Sequence, residues 1–460
     1  MERGAPGQER NRVLRLLSLE LVFSDAPTAA ALSDAKLLAA MARFEAALAR
    51  ASAGVGLIPN DAAEAIERVC QRAAFDTRRL ALDARQAGSL AIPFVRELTT
   101  QVPGEAARYV HFGATSQDAI DTAVVLCLRE AAQRVLALAR RVGDAAAKLA
   151  ERYRDTPTVA RTLLQPATPI PFGWKAAVWL SLLNASYPGF RRAADDACVL
   201  QFGGAAGTLA AFGKHGDAVS AALAKQLELE SPSIPWHSAR HGFARFGSEA
   251  AILAGAAGKI ARDVSLLMQP EVGEAFEPAG AGRGGSSALP HKRNPAASLL
   301  ALETSQRAPA LAAILLANLT PEHERGLGQW QAQWFTLRDL VCATASGLAA
   351  MAETLEGLEV KTDAMAANLE RMHGLVFSEA VSLRLSRALG KSAAHALTEK
   401  LCVRAVQEKK HLRDVLLADD QVRKDIPASE LEALFDAKRA FGSAPQMIDR
   451  VLATWRETAS

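Results

Sequence analysis

The chain of 460 residues is poor in cysteine and aromatic residues and has little net charge. Its five cysteines lie far apart with no Cys-x-x-Cys pair, which argues against a zinc knuckle and a disulfide framework and favours the cytoplasm. Lysine and arginine total 53 against 50 acidic residues, so the net charge of +3 gives no reason to expect nucleic acid or a membrane surface as a partner. Any anionic ligand must therefore be bound by a local cluster of donors.

Long apolar runs are also missing. No stretch reaches the roughly 18 uncharged apolar residues that a membrane span requires. The amino terminus lacks the apolar core and cleavage site of a signal peptide, and we expect its first dozen residues to form a disordered extension. Half of all residues are nevertheless hydrophobic, which is typical of a globular protein with a large core.

Strand signals are sparse, and helical periodicity dominates the sequence. Between residues 124 and 153 apolar side chains recur at steps of three and four, which predicts one long helix that ends before Pro157. Further helices are predicted over 34–51 and 244–269, with a short apolar helix over 311–319. The sequence therefore predicts an almost all-α chain built around a bundle of long helices.

Composition divides the chain into three parts. We expect an amino-terminal helical domain over 1–103, a central domain of long helices over 104–360 and a carboxy-terminal helical domain over 361–460. Loops on a rigid scaffold often carry function. Four irregular stretches between the helices combine hydroxyl, amide and cationic side chains with glycine or proline, namely 108–122, 160–173, 235–243 and 282–295.

Three of these stretches also have a purely structural interpretation. The first could be a helix start capped by Thr115 or Ser116, with nearby aspartates at the positive end of the helix dipole. The second could be a proline-bounded connection, "QPATPIP". In the third, His237 and His241 could be structural histidines.

The fourth stretch, "GRGGSSALPHKRNP", is harder to explain as a linker. Its glycines permit unusual backbone conformations, and Ser286 and Ser287 follow with nothing apolar to bury them. Lys292 and Asn294 then present donors just before Pro295, which suits the first turn of a helix. A lysine beside the amides of a helix start can bind an anion.

This stretch resembles the signature of the fumarase/aspartase superfamily. "RYVHFGATSQDAIDT", "LQFGGAAGTLAA", "PWHSARH", "LLMQPEVGEAFEP" and "PEHERGLGQWQAQW" extend the resemblance over roughly residues 19 to 450, and they are similar to the bacterial 3-carboxy-cis,cis-muconate cycloisomerase family. The resemblance implies a fumarase/aspartase-like all-α fold, a homotetramer with a twenty-helix core, and active sites built from three chains. It implies a small tricarboxylate substrate and neither a metal nor a cofactor.

The resemblance also assigns roles by position. Ser286 matches a mobile-loop serine that moves a proton next to a carboxylate, and Lys292 and Asn294 match residues that hold that carboxylate. Substrate contacts are expected from ten further residues: Thr115, Ser116, His111, Arg161, Thr162, Gln165, Arg240, Gln201, Thr208 and Ser287.

Leu163 departs from the eliminating lyases of the superfamily, which resemble this chain but have a histidine at that position. A strongly basic leaving group needs a general acid, and leucine cannot donate a proton. A carboxylate, whose conjugate acid has a pKa of about 4, departs without a general acid. The resemblance therefore implies reversible lactone closure on 3-carboxymuconate.

Two alternatives stay open. An eliminating lyase, for example one acting on adenylosuccinate, would need a compensating acid such as His111, His237 or His323. A non-catalytic helical scaffold would have no reason to keep Ser286 and Lys292 together.

Overall fold

The computed structural model describes residues 22–280 and 282–459. The extension predicted for the first dozen residues lies outside this range. Five helices come first: α1 (Ala26–Ala31), α2 (Asp34–Gly54), α3 (Asn60–Cys70), α4 (Thr77–Ala87) and α5 (Ala91–Gln101). The middle of the chain supplies α6 (Ser116–Arg152), α7 (Phe172–Ala197), α8 (Gly216–Leu227), α9 (His241–Leu267), α10 (Ala296–Ala317) and α11 (Gln329–Glu356).

The carboxy-terminal part is built from shorter helices. They are α12 (Thr362–Glu370), α13 (Ser378–Leu389), α14 (Lys391–Glu408), α15 (Leu412–Leu417), α16 (Asp420–Asp425), α17 (Ala428–Ala433) and α18 (Ala444–Ala459). Four short 3-10 turns lie at Gly104–Tyr109, Ala210–His215, Leu375–Phe377 and Ala437–Phe441. Two antiparallel strand pairs complete the described chain: β1 (Pro157–Thr162) with β2 (Gln165–Pro171), and β3 (Ala275–Phe276) with β4 (Glu359–Val360).

The long helices follow the apolar periodicity of the sequence. The predicted helix over 124–153 is confirmed within α6, whose apolar stripe is buried at Leu128, Val135 and Leu138. The predictions over 34–51 and 244–269 correspond to α2 and α9. The fold class, all-α with long helices, is thus confirmed.

The apolar segment over 311–319 belongs to a longer helix than predicted. Helix α10 begins at Ala296, and Pro309 lies inside it. Within the described residues it alone has the length and composition that could cross a membrane, a test that the core helix of a soluble protein also passes.

The hairpin of β1 and β2 was not predicted. "QPATPIP" forms strand β2, so its interpretation as a plain connection is wrong. The two-residue turn consists of Leu163 and Leu164, whose φ angles are 50° and 65°. Positive φ at both central residues is what a tight hairpin turn requires, but glycine and asparagine normally supply it. The pair of leucines therefore gave no turn signal.

The chain divides into two compact units, and five of the long helices contribute residues to both. Among the described residues, unit 1 comprises 22–138, 189–255 and 303–349, and unit 2 comprises 139–188, 256–280, 282–302 and 350–459. In unit 1, Phe202 and Phe212 pack edge to face with ring centroids 5.2 Å apart. In unit 2, Trp179 is fully buried and its indole N–H donates to Asp263 at 2.8 Å. The three-domain division stays a prediction.

All five cysteines are free thiols and none is exposed. Burial raises the pKa of Cys70 and Cys198 to about 12 and that of Cys127 and Cys342 to about 11. Burial also raises the pKa of Cys402. Their raised pKa values make these thiols poor nucleophiles.

Candidate active site

The predicted site residues fall into two groups, one in each unit. Unit 2 holds the serine loop (282–295) and the β1–β2 hairpin. Unit 1 holds the start of α6, the loop over 200–209 and the segment before α9. Each group is described by itself.

The serine loop is closed at its base by Gly284 and Asn294. The main-chain N–H of Asn294 donates to the carbonyl oxygen of Gly284 at 2.7 Å, and its side-chain amide donates to the Gly285 carbonyl at 3.2 Å. Gly284 has φ +64°, and a Cβ there would lie 2.4 Å from the Asn294 carbonyl oxygen. Only glycine fits this closure. The closed loop carries Ser286, Lys292 and Asn294.

Ser286 accepts hydrogen bonds from its own loop. The N–H groups of Leu289 and Ala288 donate to its Oγ at 3.1 and 3.4 Å. Donors directed at this oxygen favour negative charge on it, which is what a serine needs in order to exchange a proton with carbon. Ser287 and Lys292 are exposed, so their side chains can reach a ligand.

The hairpin presents its tip to the outside of unit 2. Leu163 is 96% exposed, and Thr162 and Gln165 beside it are exposed as well. Arg161 differs, because its guanidinium binds the fully buried carboxylate of Glu274 through two contacts of 2.7 and 3.0 Å. Arg161 is therefore engaged within the protein, and its contact with substrate stays a prediction.

In unit 1, Asp118 organises the loops around the start of α6. Its fully buried carboxylate accepts hydrogen bonds from main-chain N–H groups of Thr115, Gly203 and Gly204 at 3.1, 3.0 and 2.8 Å. The His237 ring contacts it at 2.8 Å and the Gln201 side chain donates to it at 3.3 Å. The Asp118 carboxylate thus fixes three segments that are distant in sequence.

Gln201 and His237 are both held by hydrogen bonds within the protein. Gln201 is fully buried, and its side-chain oxygen accepts a hydrogen bond from the main-chain N–H of Trp236 at 2.8 Å. His237 is 5% exposed and is held by Asp118. The structural interpretation of His237 fits this geometry. Thr208, in contrast, is exposed on the same loop.

Arg325 places a positive charge beside Thr115. One of its terminal nitrogens donates to the Thr115 hydroxyl at 2.7 Å, and the other donates to the carbonyls of Gly204 and Ala205 at 2.8 and 2.6 Å. Its Nε–H is buried without an acceptor. Arg325 lies in the motif "PEHERGLG", from which the sequence analysis singled out only His323. The Thr115 hydroxyl thus contacts a cation, and carboxylate binding by Thr115 and Ser116 stays a prediction.

Arg240 is buried and saturated with partners. Its guanidinium binds Asp121 at 2.6 and 3.1 Å and the side-chain oxygen of Gln333 at 2.6 and 2.9 Å. It also stacks on Trp236, 4.7 Å from the ring centre. This geometry supports a role in holding α6 near its start, and substrate contact by Arg240 stays a prediction.

His111 pairs with a buried carboxylate. Its Nδ1 lies 2.6 Å from Glu45, and its main-chain N–H donates to the same carboxylate at 3.0 Å. Burial lowers the pKa of His111, but the charge and hydrogen bond of Glu45 outweigh burial, so that its pKa is raised from 6.5. His111 has φ 58°, a conformation that few non-glycine residues adopt.

Comparison with known proteins identifies the family of the chain. The model of the lyase family matches residues 22–308, and that of the adenylosuccinate lyase C-terminus matches 374–451. The chain is 49% identical to a 3-carboxy-cis,cis-muconate cycloisomerase of Bradyrhizobium diazoefficiens, covering 94% of this chain and 96% of that one. It is 46% identical to the enzyme of the same name from Pseudomonas aeruginosa, covering 94% and 95%.

The fold is similar to a solved structure. The 3-carboxy-cis,cis-muconate lactonizing enzyme of Pseudomonas putida superposes with a TM-score of 0.91 at 40% identity, covering 96% of this chain and all of that one. Because the matches span nearly the whole chain at high identity, they confirm the resemblance. The chain belongs to the lyase family, in the branch of these cycloisomerases.

Proposed function

We propose that this protein interconverts 3-carboxy-cis,cis-muconate and 4-carboxymuconolactone, as a step in protocatechuate breakdown. The relatives that carry this activity in their names support the proposal. The observation that distinguishes it from β-elimination of an amine or guanidine is Leu163, at the exposed tip of the hairpin. An amine or guanidine leaving group needs an acid at that position, whereas a carboxylate does not.

The proposed mechanism moves one proton. In the lactonising direction a carboxylate oxygen of the substrate bonds to the alkene carbon that closes the ring, and the electron pair of the double bond moves to the carbon beside another carboxylate. Solvent is the final source of the proton that Ser286 gives to that carbon. In the reverse direction the Ser286 oxygen removes it. Lys292 and Asn294 stabilise the enediolate formed between, because their donors lie where negative charge develops. Thr115, Ser116 and Arg325 hold another carboxylate.

Replacement of Ser286 by alanine tests this mechanism. We expect substrate binding to stay within about threefold of wild type while kcat falls by about 10²-fold or more, because the proton transfer is lost and the carboxylate contacts remain. Turnover followed by ultraviolet absorbance gives kcat, and calorimetry gives the dissociation constant. Ser392→Ala, at an exposed serine of α14 outside the predicted site, is the matched control. Near-normal turnover by Ser286→Ala would contradict the proposal.

A substrate panel separates the proposal from its alternatives. Wild-type protein should convert 3-carboxy-cis,cis-muconate and leave adenylosuccinate and argininosuccinate unchanged. Cleavage of either succinate derivative would favour an eliminating lyase. Of the three histidines that such a lyase could use as an acid, His111 and His237 are already held by Glu45 and Asp118. Absence of every activity would favour a scaffold.

We also propose a cytoplasmic homotetramer in which three chains contribute to each active site. The resemblance supports the assembly, and the five free thiols support a reducing compartment. Predicted ligand-binding groups such as Lys292 and Thr162 are exposed in the single chain. A site completed by neighbouring chains would exclude water from them.

A further inference from the structure

We propose that Arg293 is a positioning residue that fixes the carboxylate-binding limb of the serine loop. This inference rests on the proposed function, because it concerns how Lys292 and Asn294 are held for that reaction. Arg293 lies between these two residues, and its guanidinium reaches the ribbon formed by β3 and β4.

The guanidinium contacts both strands of that ribbon. Its Nη2 donates to the main-chain carbonyl of Glu277, which follows β3, and to the Glu359 carboxylate of β4 at 2.8 Å. The guanidinium carbon also lies 5.5 Å from the ring centre of Phe276, the residue that pairs with Glu359 in the ribbon. The hydrogen bond from Arg293 lowers the pKa of Glu359, so this acceptor is ionised at neutral pH.

Glu277 holds the chain on both sides of Asn294. Its main-chain carbonyl takes the Arg293 side chain, while its carboxylate accepts the N–H groups of Ala297 and Ser298 at 3.0 and 2.7 Å and the Ser298 hydroxyl at 2.7 Å. Glu277 is only 7% exposed and therefore forms a fixed support. Residues 293 and 297 are thus tied to one buried residue, and Asn294 lies between the two ties.

The other limb of the loop has a weaker attachment. Arg283 pairs with Glu353, but the two side chains are 47% and 54% exposed, against 35% and 32% for Arg293 and Glu359. Exposed pairs contribute little to stability. The arrangement leaves the Ser286 limb able to move while the Lys292–Asn294 limb stays in place. The pair of Arg283 and Glu353 is therefore a natural control.

Lysine cannot replace these contacts fully. A planar guanidinium can donate to two acceptors and lie against an aromatic ring, whereas a lysine ammonium is a compact point charge. A displacement of about 1 Å at a group that stabilises the transition state can cost about 10²-fold in rate. Loss of Arg293 should therefore affect kcat more than KM.

The test compares Arg293→Ala, Arg293→Lys and Glu359→Gln with Arg283→Ala. We expect Arg293→Ala to lower kcat by about 10- to 100-fold with KM changed less than about threefold, Arg293→Lys and Glu359→Gln to fall between, and Arg283→Ala to stay within about twofold of wild type. Millimolar guanidinium should restore part of the Arg293→Ala turnover, and methylammonium should not. A purely structural defect would not respond to guanidinium. Equal kcat in Arg293→Ala and Arg283→Ala would overturn the inference.

Hydrogen exchange provides a second measurement that needs no substrate. In Arg293→Ala the amides of Asn294, Ala297 and Ser298 should exchange faster than in wild type, and in Arg283→Ala they should not. If wild type fails to convert 3-carboxy-cis,cis-muconate, the proposed function fails, and unchanged exchange in Arg293→Ala would overturn the inference separately.

Discussion

At the residue scale, His111 joins an unusual backbone position to a buried charge. Its pKa is raised, so the stabilising ion pair with Glu45 is complete below the ordinary value of 6.5 and is lost as the pH rises through the raised pKa. Stability that depends on this pair should therefore decrease on the alkaline side.

His111→Asn tests this pH dependence. Asparagine accepts the left-handed conformation, and its amide nitrogen can take the place of Nδ1 as an uncharged donor to Glu45. The urea midpoint of wild type should fall relative to that of the variant as the pH rises above 6.5, the ordinary pKa of histidine. The control is His395→Asn, since His395 is exposed on α14. Parallel pH curves for wild type and His111→Asn would contradict the role of the pair.

The grouping of site residues was predictable where they are local in sequence. Ser286, Lys292 and Asn294 stand on one short loop, and their grouping followed from the sequence. The role of Asp118 did not, because its main-chain partner Gly203 lies 85 positions away. Its position at a helix start had suggested only an interaction with the dipole. The Thr115 contact of Arg325 spans 210 positions and left no local signal.

At the element scale, the closure of the serine loop depends on close backbone approach. Gly284 and Gly282 both have positive φ, but only at Gly284 would a Cβ collide with the chain, whereas nothing lies within 4 Å at Gly282. The two glycines therefore separate the effect of backbone strain from that of the closure.

Gly284→Ala should lower kcat by about 10- to 100-fold, because the added Cβ pushes the Asn294 limb away from the loop base. Gly282→Ala carries a similar strain of about 1 kcal/mol and should keep most of the activity. Ultraviolet turnover assays on both variants measure the difference, and thermal melting checks that both are folded. If the two variants lose activity equally, strain and not closure accounts for the loss.

Elements were predictable where an apolar stripe recurs. The apolar stripe over 124–153 predicted α6 correctly, although the helix begins at Ser116, before the stripe. The β1–β2 hairpin was missed because Leu163 and Leu164 occupy turn positions that normally favour glycine or asparagine. Such backbone strain persists only where the surrounding structure imposes it, and it is common at functional sites.

At the scale of the whole molecule, the proposed tetramer makes a prediction about mixtures. Ser286 belongs to unit 2 and Thr115 to unit 1, and the proposal assigns them to different chains at each active site. Two inactive variants, Ser286→Ala and Thr115→Val, should therefore complement each other when they are unfolded and refolded together.

Random assortment of the two chains leaves about one quarter of the sites with both residues intact. We expect the refolded mixture to approach that fraction of wild-type turnover, with sedimentation confirming a tetramer. Each variant refolded alone is the control. Activity no greater than the sum of the two controls would show that a single chain supplies both residues.

The raised pKa values of the five thiols have a practical consequence for work with the protein. With a pKa of about 11, Cys127 and Cys342 are ionised in about one molecule per thousand at pH 8. Air oxidation and maleimide labelling both require the thiolate. The thiols of the native protein should therefore stay reduced in buffers without reductant. A cysteine engineered at an exposed position can be labelled with little background labelling of the native cysteines.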